Sequence, residues 1–285
     1  MKDGQQTLRD RLEFEGVGLH TGRATRAVVE PAGPGTGLVF RLERGLEFPA
    51  TAEHVVDTQR ATVLGAQGST VSTVEHLLSA LRGMGVDNAL IVVEGGEVPV
   101  MDGSAKVFAD AIFDAGVVAF GEPRAVFRPE HAMGFRDNEK TLAIIPAPEW
   151  RIKFTVDYPP PIGTQYFEGA ITPELYRGEI APARTFGYVH EVEALRARGL
   201  AQGGTLENAL VFAPDGPMQA LRWPNEPVRH KVLDMIGDFA LLGMYPQCEA
   251  VALKSGHKLH AAVMAELRAE QRARERHSHD AKARD

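Results

Sequence analysis

The chain has 285 residues with 44% hydrophobic, 24% charged and 7% aromatic positions, enough apolar material for a sizeable core and too much for a disordered chain. Its formal net charge of -7 argues against a nucleic-acid-binding surface. A single cysteine, Cys248, excludes a disulfide framework and any multi-cysteine zinc site, and it reads as a small buried hydrophobe.

The start, MKDGQQTLRDRLEF, has no apolar signal region, and no run of about 18 apolar residues occurs, so a soluble cytoplasmic protein is expected. Short strand-like runs come first, at Ala27–Glu30, Gly37–Leu42 and Thr62–Leu64. Val74, Leu77, Leu78, Leu81 and Met84 then share one helical face with Gly85 as a stop, and Ser72 with Glu75 fits a capping box. Asn88–Glu94 reads as a strand, and a helix from Ala105 to Ala115 follows with Ser104 as N-cap and Gly116 as its stop.

The second half repeats this order, with strands at Thr141–Ala147, Ile152–Tyr158 and Asn208–Phe212. A helix from Pro227 to Leu242, a strand at Ala250–Lys254 and a helix from His257 to Leu267 complete it. The fold class expected is α/β (α+β), two similarly built domains over 1–124 and 125–268, followed by a charged, fraying tail over 269–285.

Three clusters carry chemistry. His230, Asp234 and Asp238 are spaced i, i+4, i+8 and stack within about 80° of one helix face. The other faces carry Val232, Leu233, Met235, Ile236, Phe239 and Leu242. A buried unpaired carboxylate is expensive, so a metal that neutralises the stripe explains it better than a solvated face does. Glu75-His76 ordinarily means an exposed polar pair, yet an imidazole beside a carboxylate is also what metal-assisted hydrolysis needs. Lys254-Ser255-Gly256-His257 lies where a strand ends and a helix begins, a common place for functional groups in α/β layers.

With these stand Gly16–Gly22 (GVGLHTG), Thr73–Leu81 (TVEHLLSAL), Glu97–Ala105 (EVPVMDGSA), Ala183–Gly187 (ARTFG) and Arg229–Asp238 (RHKVLDMIGD). Taken in order from Gln6 to Leu267, they resemble the UDP-3-O-acyl-N-acetylglucosamine deacetylases, the zinc amidases that commit bacteria to lipid A synthesis. The resemblance implies helices sandwiched between two outer sheets, and one catalytic Zn²⁺ on His76, His230 and Asp234. It implies Glu75 as the base that activates water, His257 as the acid for the leaving amine, Asp238 as its orienter and Thr185 as a donor to the oxyanion. Lys231 would face the diphosphate, with Lys254 and Phe186 also at the substrate.

An insertion over Tyr188–Val211 would build the acyl passage, with Gly204, Leu206 and Ala209 among its members, since a greasy channel gains about 0.8 kcal/mol per buried methylene. His20 is a secondary metal candidate. His54, His131 and His190 lack motif support, and His277 and His279 lie in the tail. The chain departs from the family's pattern at Gln202, which bears on acyl preference, and at His260 where asparagine is usual; His260 reads as a partly exposed helix residue rather than a ligand.

The implied activity is hydrolysis of the acetamide of a UDP-linked, 3-O-acylated N-acetylglucosamine to acetate and a free amine. The alternatives are a zinc amidase on another N-acetylated sugar and a non-catalytic UDP-sugar-binding relative, and Fe²⁺ can compete for a His₂Asp site. A monomer with no nucleic-acid partner and no transmembrane segment is expected. So is the absence of the dehydratase to which such enzymes can be fused.

Overall fold

Alternating apolar and polar positions build the strands of two sheets, and 3.6-residue periodicity builds the helices between them. The structure, a computed structural model, describes residues 4–282. In chain order the first half contains β1 (Leu12–Val17), β2 (Ala24–Pro31), β3 (Leu38–Arg41), β4 (Glu47–Pro49), α1 (Glu75–Gly83), β5 (Ala89–Glu94) and α2 (Lys106–Ala115). The second half contains β6 (Met133–Asp137), β7 (Lys140–Pro146), β8 (Arg151–Asp157), β9 (Thr164–Ala170), α3 (Glu226–Ala240), β10 (Cys248–Leu253) and α4 (His257–Lys282).

Each half forms a five-stranded sheet, ordered β1-β2-β5-β3-β4 in one and β6-β7-β10-β8-β9 in the other. The pairings match too: β5 and β10 each run parallel to one neighbour, β3 or β8, while the other pairs are antiparallel. The repeated order expected from the sequence is thus a repeated topology, and the fold is two similar α+β domains.

Both domains carry an insertion between the fourth strand and the central helix. In the first it is the small sheet of Val55–Asp57, Val63–Ala66 and Ser69–Val71. In the second it holds the helix Val189–Ala197 and the small sheet of Phe186–Tyr188, Leu210–Ala213 and Gly216–Pro217. Only the second of these was anticipated by the sequence.

The helices α1 and α3 pack against each other, α2 lies on α1 and β1, and α3 and α4 cover the second sheet. Leu77, Leu78 and Leu81 of α1 share one continuous buried cluster with Val232, Leu233 and Ile236 of α3. Cys248 is buried in β10, where burial pushes its thiol up to about 12.

Two expectations need correction. Helix α1 begins at Glu75 with no side-chain cap, so Ser72 and Glu75 form no capping box. Thr73 stands at φ 57°, a strained conformation for a β-branched residue, which breaks the helix before it can reach Ser72. Ser72 instead bridges to Glu97 in extended form, and the Glu75 carboxylate turns away to Thr62. Helix α4 also continues past Leu267 to Lys282. Its basic turns are held by partners outside the helix: Arg268 and Arg272 both meet Glu53, and Arg274 meets Glu130. The side chains of His277 and His279 lie outside those described.

The crossing of α1 and α3 is close because Gly237 has no side chain. A Cβ there would overlap the carbonyl oxygen of Glu75. Gly237→Ala therefore forces backbone movement, at about 1–3 kcal/mol, and should lower the thermal midpoint and the affinity for metal together. An unchanged midpoint and unchanged metal binding would contradict the close-crossing account.

Candidate active site

The crossing sets the start of α1 against the middle of α3. A cleft of about 600 Å³ opens there, lined among others by Glu75, His76, Thr185, Phe186, His230, Lys231, Asp234, Lys254 and His257. The loop before α1 is fixed by Glu97, whose fully buried carboxylate accepts from the Thr73 hydroxyl at 2.8 Å and from the backbone N–H groups of His20 and Thr21, each at 2.9 Å. Several donors on one carboxylate offset the cost of burying it.

His76, His230 and Asp234 offer ligand atoms that all lie within 4.8 Å of one another, and all three side chains are buried. The Nδ1–H of His230 donates to the Ala183 carbonyl at 3.0 Å, so its Nε2 carries the lone pair. That Nε2 stands 3.3 Å from Asp234 Oδ1. Two electron-rich atoms facing each other at this distance repel unless a cation lies between them. The His76 ring makes no hydrogen bond among the described residues: Nδ1 is buried without a partner, and Nε2 is 3.8 Å from Asp234 Oδ1.

Burial pushes the His76 imidazole down to about 3 and that of His230 below its ordinary value, so both present neutral donors. Burial opposes ionisation of Asp234, but the charged groups beside it, the Lys231 ammonium and the His257 imidazolium, keep it below the usual carboxylate range. Two neutral imidazoles and a carboxylate are a donor set that suits Zn²⁺ or Fe²⁺. The bond from His230 to Ala183 is the kind of outer contact that orients such a ligand.

Beside this cluster stand a carboxyl and an imidazole in opposite environments. Glu75 is buried and accepts the Thr62 backbone N–H on Oε2 at 3.0 Å. Burial, opposed by His257 but helped by Asp234 and Asp238, pushes its carboxyl up to about 7. Burial acts against a charged His257, yet the charge and hydrogen bond of Asp238 outweigh it and raise the imidazole to about 9. His257 Nδ1 is 2.8 Å from Asp238 Oδ2 and its Nε2 is 3.8 Å from Asp234 Oδ2. A carboxyl near 7 next to an imidazole that keeps its proton is an arrangement for acid–base work near neutral pH.

Residues 5–269 match the family model described as LpxC, UDP-3-O-acyl N-acetylglycosamine deacetylase. A UDP-3-O-acyl-N-acetylglucosamine deacetylase of Syntrophotalea carbinolica is 43% identical over 90% of this chain and 84% of its own length. Proteins of the same name from Chlamydia abortus and a Nostoc species are 41% and 42% identical, over 92% and 90% of this chain and 96% and 95% of theirs. The chain belongs to this deacetylase family.

The other anticipated residues fall into two groups. Thr185, Phe186, Lys231 and Lys254 line the cleft with the cluster. Thr185 is held through its backbone to Gly103 and Leu210, and Phe186 stands edge-on to the His230 ring, 6.1 Å between centroids. Lys231 donates to Asp234 Oδ2 at 2.6 Å, which leaves Oδ1 for the histidines, and Lys254 pairs with Asp157 at 2.7 Å.

Gly204, Leu206 and Ala209 are not among the cleft-lining residues. Leu206 is half exposed, and a Cβ at Gly204 would meet Leu19, which lines the cleft. Gln202 folds its amide back onto the Arg196 carbonyl at 2.8 Å, so it too is absent from the wall. His20 lies outside the cluster; its Nδ1 accepts the Ala201 N–H at 3.4 Å, and its Nε2 is buried without a partner among the described residues. His54 stacks on Phe48 and His131 is exposed, but His190 lines the cleft.

His260 is corrected outright, since it is fully buried rather than partly exposed. Thr62 joins the site without having been expected there: its backbone holds Glu75 and its hydroxyl donates to Asp238 Oδ1 at 2.6 Å. A threonine opening a strand gives no signal of such a role.

Metal content separates the two kinds of histidine. After loading with zinc and exhaustive dialysis, His230→Ala should lose the ion while His257→Ala keeps it. Retention by His230→Ala, or loss from His257→Ala, would contradict the ligand set.

Proposed function

We propose that the chain removes the acetyl group from a UDP-linked, 3-O-acylated N-acetylglucosamine, releasing acetate and the free amine, in lipid A synthesis. The observation that carries the chemistry is the facing pair of His230 Nε2 and Asp234 Oδ1 at 3.3 Å, beside a buried carboxyl and a charged imidazole. The substrate class comes from the family to which the chain belongs. His76, His230 and Asp234 would hold a zinc ion, which would supply a Lewis acid for the amide carbonyl and lower the pKa of the attacking water.

Glu75 takes a proton from the attacking water, its carboxylate turned by the Thr62 N–H. The Thr185 hydroxyl donates to the oxygen that gains charge as the carbonyl becomes tetrahedral. His257 passes its Nε2 proton to the nitrogen as the C–N bond breaks, with Asp238 steadying the imidazolium on the far side. Water's two hydrogens thus end on Glu75 and on acetic acid's oxygen, the latter ionising, while the amine keeps the proton from His257. Lys231 and Lys254 are the cations proposed for the diphosphate, and Phe186 offers an apolar face. The acyl chain is assigned to the space between Leu19 and the second insertion. Gly204, Leu206 and Ala209 belong to that insertion, and Gly204 stands against Leu19 of the wall. A cytoplasmic location and a monomeric state belong to the same proposal.

The sign of the pH dependence follows from the two groups. Glu75 must be ionised, so kcat/KM should fall as pH drops through about 7. His257 must be protonated, so it should fall again as pH rises through about 9. Bound metal adds positive charge and moves both limbs to lower pH. A profile flat through both regions would contradict the paired roles.

Acetate release from the UDP-3-O-acylated sugar, before and after chelation and zinc readdition, tests the whole reading. Loss and recovery are expected, and His257→Ala should lose about 10²–10⁴ in kcat. No release by fully metallated protein would sink this substrate and direct the search to other N-acetylated sugars.

A further inference from the structure

The Asp238 carboxylate has more partners than orienting one imidazole requires. Oδ2 is 2.8 Å from His257 Nδ1 and 2.8 Å from His260 Nδ1, and Oδ1 accepts the Thr62 hydroxyl at 2.6 Å. Thr62 comes from the insertion of the first domain, His260 from the first turns of α4 in the second. All of these side chains are buried.

The protonation pattern of His260 follows from its surroundings. Its Nε2 lies 2.8 Å from the Ser255 hydroxyl, which donates to it, and its Nδ1–H donates to Asp238. Both nitrogens are satisfied by a neutral ring, and burial holds the imidazole below its ordinary value. Phe154 and Phe239 stand against the ring at 6.4 Å between centroids, which fixes its plane. A ring with both nitrogens engaged is no metal ligand.

We infer that Thr62 and His260 are positioning residues that together lock the Asp238 carboxylate in the plane of the His257 ring. The inference rests on the reading of His257 as the proton donor. A carboxylate accepts about four hydrogen bonds, so one donor alone leaves it free to turn about its Cβ–Cγ bond. With Thr62 on one oxygen and His260 on the other, rotation breaks two bonds at once. Thr62 adds a second constraint, since its backbone N–H holds Glu75. The orienter of the acid and the carboxylate of the base are therefore tied to one residue.

The test uses Thr62→Val and His260→Phe, which keep shape and lose the donor, with Thr62→Ser and His260→Asn, which keep a donor. In zinc-loaded protein, the first pair should lose about 10–100-fold in kcat, the usual effect of removing an outer-shell partner. KM and metal content should not move, and the second pair should recover most of the loss. A readout without substrate is proton NMR of the imidazole N–H resonances. His260→Phe should remove one downfield signal and shift that of His257, and Thr62→Val should shift the latter alone.

Unchanged kcat with an unmoved His257 resonance would overturn the inference, as would a loss that serine and asparagine fail to recover. Thr62→Ala and His260→Leu replace either isostere that fails to fold. If the wild-type chain does not act on the UDP-sugar, the proposed substrate fails, and the NMR comparison still decides the positioning roles.

Discussion

The approach of α1 to α3 at Gly237 is the constraint on which the rest of the structure depends. Neither helix holds a complete set of groups: α1 brings Glu75 and His76, and α3 brings His230, Asp234 and Asp238. Only a crossing at backbone contact places Asp234 between the two histidines, and only glycine permits it, because any Cβ would meet the Glu75 carbonyl. The leucines of α1 and the valine and isoleucine positions of α3 close around this point in one apolar cluster. Packing therefore fixes the geometry of polar groups that would repel one another if left to themselves.

That repulsion is used rather than avoided. Three buried carboxyl groups stand close together, Glu75 and Asp234 lining the cleft and Asp238 bonded to His257 of its lining, and their surroundings divide them. Asp238 has three hydrogen-bond donors and Asp234 has the Lys231 ammonium and the His257 imidazolium, so both stay ionised. Glu75 has the Thr62 N–H and little else, so burial dominates and brings its carboxyl to about 7. Asp238 in turn lifts His257 to about 9. Environments that push neighbouring groups in opposite directions are how one site holds both a base and an acid.

Much of this was legible in the sequence. The apolar spacing of Val74, Leu77, Leu78 and Leu81 gave the helix, and the i, i+4, i+8 spacing of His230, Asp234 and Asp238 placed them on one stripe. Two things were hidden, for different reasons. The start of α1 depends on Thr73 being held at positive φ by Glu97, a residue distant in sequence, and local capping rules miss such a hold. The place of Thr62 depends on how a small sheet folds over the crossing, which no periodicity encodes. The burial of His260, by contrast, could have been read, since Val263, Met264 and Leu267 follow it at three, four and seven residues and are buried with it. The acyl-passage residues were the weakest inference because insertion loops carry no repeat to fix their facing.

The central claim is that residues from both halves meet on one cation. Anomalous diffraction at the zinc edge from crystals of the metal-loaded protein tests it most directly. The account predicts a single strong peak about 2.0–2.2 Å from a nitrogen of His76, a nitrogen of His230 and an oxygen of Asp234. A peak that omits one of these three, or that sits instead at His20 or His260, would contradict it.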